Sequence, residues 1–216
     1  MRTSVLVEKT LRGQFKEMRQ VMESGWEPLD LTLDLNRRYY DKQMEGVLNW
    51  KADVIFLVQR FKIGGCFTPI EGDLANDQWT KTAMGIMEKL ANSTKKIVWS
   101  GMMAEFEFNV ASTLAQRLKI GQTVEDLHSY NYTKFLMQHQ NSWPRVKYIL
   151  ERCPKCVWYD MQEPFCDKNT LSCIRLDKQT YLSYYSDFFH LTWSGIKFIE
   201  PTFSKLIKDV VKEIGF

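Results

Sequence analysis

The sequence predicts an α/β protein built on a doubly wound parallel sheet. Three strand-length runs carry this reading: DVIFLVQR (53–60), KKIVWSGM (95–102) and CVWYD (156–160). Each is apolar at consecutive rather than alternating positions, as in strands buried on both faces. Helix-compatible stretches lie between them. That alternation is the mark of parallel strands joined by helical crossovers.

The elements follow in order. Residues 6–22 have helical spacing, with a short strand as the alternative at their end. GWEPLD (25–30) is a turn with Pro28 as its breaker. Residues 37–50 read as a helix ending at Asn49 and Trp50. The first apolar run leads into FKIGGCFTPIEGD (61–73), a Gly-rich loop. Residues 78–91 form a helix before the second run. Residues 103–129 show no clear pattern. Residues 130–152 are helical in part, with Pro144 as the interruption. After the third run, residues 192–214 read as a helix bent or split at Pro201. In this fold class ligands gather at the carboxyl ends of the strands. The loops after Arg60, Gly101 and Asp160, with the loop holding Asp187 and His190, are therefore the candidate rim of a site.

The chain has 216 residues, of which 44% are hydrophobic and 13% aromatic, enough for a single domain with a substantial core. The net charge of +3 is mild and dispersed, which speaks against a nucleic-acid partner. No apolar run reaches the length of a membrane span. The first residues meet Lys and Arg too early for a signal peptide. Two sequons, at Asn92 and Asn131, are candidate glycosylation sites.

Four of the five cysteines, Cys153, Cys156, Cys166 and Cys173, fall in one short segment. Two local disulfides in an oxidising compartment are one reading, with Cys66 left over. A four-thiolate zinc site is the rival, since Cys-Pro-x-Cys makes a metal knuckle, but the spacing of Cys166 and Cys173 suits it poorly. Buried free thiols are the third. No metal or other cofactor is expected.

YYSDFFHLTWSGIKF (184–198) holds the chemistry. An Asp three residues before a His can turn its carboxylate to the imidazole and fix its tautomer. The far nitrogen is then free to act as a general base. Thr192 is placed to cap the following helix, and Gly195 to allow close packing in its first turn. The plainer alternative is a helix-entry turn in which Asp187 caps and His190 packs on Phe188 and Phe189. Other polar residues offer less. His128 and His139 read as surface or packed side chains, Asp73 and Asp77 fit no cation loop, and Ser100-Gly101, which follows a buried strand and could line the site, reads more simply as a tight turn.

The run D-x-x-H-L-T-x-x-G, followed by I-x-x-I-x-P-x-F-x-x-L, resembles the last block of SGNH hydrolase-like domains. More narrowly, it resembles the SGNH domain that follows the membrane acyltransferase family 3 domain in nematode and bacterial O-acyltransferases. GWEPLD is similar to that family's Cys-Glu-Pro-Leu turn, and WKADVIFLVQRF to its Lys-Pro-Asp-x-x-Phe-Leu-x-x-Arg strand. CPKCVWYDMQEPF is similar to its Cys-x-x-Cys, strand, Asp-Tyr segment. The pieces run in order from about residue 13 to the C-terminus.

The resemblance implies a flavodoxin-like, three-layer α/β/α sheet over residues 1–216. It also implies acyl transfer or ester hydrolysis, with His190 as base and Asp187 as its orienting acid. Arg60 stands where the family keeps a polar residue near the oxyanion. Trp193, beside the site, is the candidate substrate contact. The expected substrate is an acylated small molecule, or a glycan or lipid hydroxyl. A membrane acyltransferase domain is the expected partner in the full-length protein, on the lumenal or extracellular side.

One departure stands out. The nucleophile of such domains is the Ser of a Gly-Asp-Ser or Gly-Asn-Ser block ending the first strand, and neither triplet occurs here. Ser4 is the nearest candidate, and it lacks both neighbours and a preceding strand. The expectation is a domain without its first strand, a fragment of a longer protein whose upstream part supplies the serine. The alternative function is an inactive binding or scaffolding domain; a zinc-stabilised interaction module ranks third. A smaller departure puts Trp26 where the family has Cys, with Tyr39 and Tyr40 where its partner would lie.

Overall fold

The computed structural model describes residues 3–21, 27–31, 34–59, 61 and 64–215, without the side chains of 34–39. Arg60, Trp26 and the Tyr39 side chain lie outside the described residues. The elements run α1 Thr3–Thr10, α2 Asp34–Trp50, β1 Val54–Val58, α3 Gln78–Ser93, β2 Lys96–Gly101, α4 Val110–Lys119, α5 Glu125–His128, β3 Ser129–Asn131, α6 Tyr132–Gln138, α7 Ser142–Leu150, β4 Cys156–Asp160, β5 Cys166–Asp167, β6 Ser172–Ile174 and α8 Trp193–Glu213. The chain divides into two compact units. One comprises Met1–Met18, Met103–Gln138 and Asp160–Lys212; the other comprises Arg19–Met102, His139–Tyr159 and Glu213–Phe216.

The second unit holds the parallel sheet, in the order β1-β2-β4. Val54 to Val58 pair in parallel with Lys96 to Ser100. The central strand β2 is buried along nearly its whole length, whereas most of β1 is only half-buried. The three apolar runs thus become the three strands expected of them. Phe61, Trp99, Trp158 and Trp143 form a continuous aromatic cluster in this unit, with ring centroids 5.5–5.7 Å apart along the chain from Phe61 through Trp99 and Trp158 to Trp143. Such offset and edge contacts add to the gain from burial alone.

The first unit holds a small antiparallel sheet, β3-β6-β5. Its long helix α8 buries Ile196, Ile199, Phe203, Ile207 and Val210 on one stripe. The i, i+3, i+4 spacing of these residues makes that face, and each contributes about 1.5–3 kcal/mol on burial.

Several elements depart from the sequence reading for physical reasons. The first helix stops at Thr10 rather than running to residue 22, and Gly13 then turns the chain at a φ of +80°, which other residues adopt at a cost. The helical stretch 130–152 breaks between α6 and α7, at 139–141, not at Pro144. Pro144 sits in the first turn of α7, where a missing N–H costs nothing. Pro201 lies on the solvent side of α8, and the helix continues through it. The unpatterned stretch 103–129 contains α4, capped by Asn109, whose Oδ1 accepts from Ser112 N at 2.9 Å.

Cys153 is bonded to Cys156, and Cys166 to Cys173. This decides among the three cysteine readings. Sulfurs committed to disulfides cannot serve as thiolate ligands, so neither the zinc site nor four free thiols remain. Cys66 is free and buried.

Candidate active site

Residues 183–192 form a tight loop with Asp187 and His190 near its tip. Its base is a bridge between Tyr185 and Leu191, with Ser186 N donating to His190 O at 2.7 Å and Thr192 N to Tyr184 O at 2.9 Å. Thr192 closes the loop into α8. Its hydroxyl accepts from Gly195 N at 3.1 Å, as a helix cap does, and donates to Ser183 O at 2.6 Å. Gly195 is there because of a close approach: a Cβ at this position would lie 2.3 Å from Tyr184 O. The spacing of the D-x-x-H-L-T-x-x-G run thus serves one compact structure.

Asp187 Oδ1 accepts from the backbone N–H groups of Phe189, at 3.0 Å, and His190, at 2.9 Å. Asp187 Oδ2 lies 2.7 Å from His190 Nδ1. A carboxylate can only accept, so in the neutral pair Nδ1 carries the proton and Nε2 keeps its lone pair. Among the described residues Nε2 has no hydrogen-bond partner, and the His190 side chain is 55% exposed. Burial alone would push the Asp187 carboxyl up. The two backbone N–H groups and the imidazole outweigh it and hold the carboxyl below its ordinary value. The arrangement can take a proton at Nε2 while the carboxylate stabilises the resulting imidazolium.

A backbone strap holds the loop from one side. Phe106 N donates to Phe188 O at 2.9 Å, and Val110 N to Asp187 O at 3.4 Å. Phe188 and Trp193 flank His190 in sequence and are exposed, at 44% and 50%. Sequence reasoning missed the strap, which starts in the unpatterned stretch. Its one sequence signal is Asn109, the cap that ends it.

The remaining candidates fall elsewhere. Ser4 is half-buried in the first turn of α1, and among the described residues no hydrogen bond joins it to His190. His139 is buried, with Nδ1 3.3 Å from Ser142 Oγ. The His128 imidazole is partly desolvated, which lowers its pKa. Asp77 caps α3 and forms two hydrogen bonds with the Arg145 guanidinium, at 2.9 and 2.6 Å. Ser100 and Gly101 end β2 as strand residues rather than making a tight turn, and Ser100 is buried. Asn131 and Asn92 are both exposed. Among the described residues no group of His, Cys, Asp and Glu could hold a metal ion. No helix among them is long and apolar enough to cross a membrane.

No curated protein sequence matches the chain. The periplasmic domain of a lipopolysaccharide acetyltransferase from Salmonella ser. Paratyphi A has a similar structure, with a TM-score of 0.60 at 12% identity over 93% of this chain and 77% of that one. At that identity the likeness speaks for the fold. A family model described as "SGNH domain (fused to AT3 domains)" matches residues 3–205. Matched over nearly its whole length, the chain belongs to the family of SGNH domains fused to AT3 domains.

Proposed function

We propose that this chain carries the acid–base pair of an SGNH-type site that moves an acyl group onto or off a hydroxyl. The substrate is an acylated small molecule, or a glycan or lipid hydroxyl. One observation carries the reading: His190 Nδ1 is held on Asp187 Oδ2 while Nε2 stays open on an exposed ring. An imidazole so held accepts the proton of a serine hydroxyl as that oxygen attacks an acyl carbonyl. It then returns the proton to the leaving oxygen. Trp193 is assigned to substrate contact and Arg60 to the neighbourhood of the oxyanion.

The serine is assigned to a segment outside these 216 residues that adds a strand to the outer edge of β1. Among the described residues that edge has no partner, and Ile55, Phe56 and Val58 along it are half-buried. An apolar edge of this kind invites a further strand. Residues 1–216 are on this reading part of one longer SGNH domain. The two disulfides and the periplasmic origin of the similar structure support a lumenal or extracellular placement. The family's fusion to AT3 domains supports a membrane acyltransferase domain as partner.

A second reading, an inactive binding or scaffolding domain, is favoured by the place of Ser4 in a helix turn without a bond to His190. One experiment separates the two. The chain alone and a longer form with its upstream sequence are incubated with p-nitrophenyl acetate and an activated-serine probe. The catalytic reading expects turnover and labelling of the longer form only, both lost in His190→Ala. A longer form with no His190-dependent turnover establishes the inactive reading. Activity of the chain alone that vanishes in Ser4→Ala overturns the assignment of the serine.

A further inference from the structure

We propose that Gln162 is the positioning residue of the Asp187–His190 pair, acting through Tyr185 and the strap at Ala104. The inference rests on the pairing described above and adds what holds that pair in place. Gln162, Tyr185 and Ala104 are each 0% exposed. Gln162 Oε1 accepts from Ala104 N at 2.9 Å and from the Tyr185 hydroxyl at 3.3 Å. Gln162 Nε2 lies 3.2 Å from the Tyr185 hydroxyl oxygen and 3.5 Å from Cys166 Sγ. Its backbone N–H is held in turn by Asp160 Oδ1 at 2.9 Å. One buried carboxamide therefore joins the end of β4, the disulfide hairpin, the strap and the base of the loop.

Two of those connections run to the Asp187–His190 loop. Tyr185 is its first rung, bridged to Leu191, and its ring packs edge-on against Phe106 at 4.8 Å. Ala104 begins the strap whose amides at Phe106 and Val110 bond Phe188 O and Asp187 O. With Gln162 in place, both sides of the loop refer to one fixed point. A side chain that both donates and accepts is required there. A leucine would leave the buried Ala104 N–H without a partner and deprive the Tyr185 hydroxyl of the carboxamide. A loop lacking that reference keeps its sequence but not the single geometry a 2.7 Å contact needs.

The test reads the His190 Nδ1 proton directly by NMR of histidine-labelled full chain, which requires no catalytic turnover. In the wild type the expected signal is a downfield Nδ1–H resonance protected from water, absent in Asp187→Asn. In Gln162→Leu it exchanges about tenfold faster or broadens away. Ile199→Val, a conservative change in the core of α8, is the stability control and keeps the wild-type signal. Tyr185→Phe keeps the ring, removes one hydroxyl and shifts exchange the same way, which covers a Gln162→Leu protein that fails to fold. Wild-type exchange in Tyr185→Phe and in folded Gln162→Leu overturns the proposal. A wild-type protein without the resonance, or one in which Asp187→Asn retains it, overturns the Asp187–His190 pairing itself and the proposal with it.

Discussion

Asp187 serves His190 with both of its carboxylate oxygens: Oδ1 holds the His190 backbone N–H at 2.9 Å, and Oδ2 holds the ring at Nδ1 at 2.7 Å. The capping turn and the proposed acid–base pair, which look like rival readings in sequence, draw on the same residue. Asp187→Asn separates the two uses. An amide keeps one oxygen for the backbone but turns an N–H toward the ring, so the imidazole protonates at Nε2 and loses its base. In the longer form proposed to supply the serine, this substitution is expected to lower kcat by about 10³–10⁴-fold with little change in KM. Circular dichroism should stay that of the wild type. A kcat within a few-fold of wild type, about what a surface change gives, would show that Asp187 has only its capping use.

The Arg145–Asp77 ion pair is expected to make the sheet-bearing unit sensitive to acid. The guanidinium is 1% exposed and donates to both Asp77 oxygens as well as to the carbonyls of Cys66 and Thr68. Hydrogen bonds from Arg145 hold the Asp77 carboxyl down at about 2, against the opposing effect of burial. A folded pKa below the unfolded one contributes stability above the usual carboxylate range. That contribution is lost as pH falls from about 4 toward 2. Arg145→Ala leaves the half-buried Asp77 carboxylate with only its Thr80 hydrogen bonds and should cost about 3 kcal/mol in urea unfolding at pH 7. Its acid unfolding should also begin at higher pH than in the wild type. Equal urea midpoints would mean that the pair is replaceable by water.

The cysteines give a prediction that needs only thiol chemistry. Cys66 is the single free thiol, and burial, with Asp30 and Glu27 nearby, pushes it up to about 12. At pH 8 almost none of it is thiolate, the reactive form. Native protein prepared without reductant should show no reaction with a disulfide reagent, and denatured protein should release one thiol equivalent per chain. Five equivalents, one for each cysteine in the sequence, would mean that the disulfides do not form.

The fold was legible where the sequence carried a strong periodic signal. Val54–Val58, Lys96–Gly101 and Cys156–Asp160 were visible as apolar runs because a parallel strand has no polar face to dilute the pattern. The Asp187–His190 pair was visible because its partners are three residues apart, so that local chain geometry is enough. The strap and Gln162 were not. Ala104, Gln162 and Tyr185 are far apart in sequence and meet only through tertiary packing, and a lone Gln in a turn carries no pattern. Pro144 and Pro201 misled for a related reason. What a proline does depends on whether its turn is first in the helix or faces solvent, and residue type alone does not say.

Gly195 joins the helix to the loop, and its substitution tests both together. The Cβ of an alanine there would stand 2.3 Å from Tyr184 O and 3.0 Å from a Leu191 methyl. The carbonyl is committed to Thr192 N, so it cannot simply swing away. Helix propensity favours alanine by about 1 kcal/mol, which gives the opposite expectation if packing were loose. The clash should win, because α8 is anchored by Ile196 and Ile199, both buried within the next turn. Gly195→Ala is therefore expected to lose about 1–3 kcal/mol, the usual range for overpacking. Hydrogen exchange should quicken at Thr192 and Ser186, whose amides close the loop, while Ile97 in β2 stays protected. A more stable Gly195→Ala protein would mean that α8 can slide away from the loop and that Thr192 alone fixes the approach.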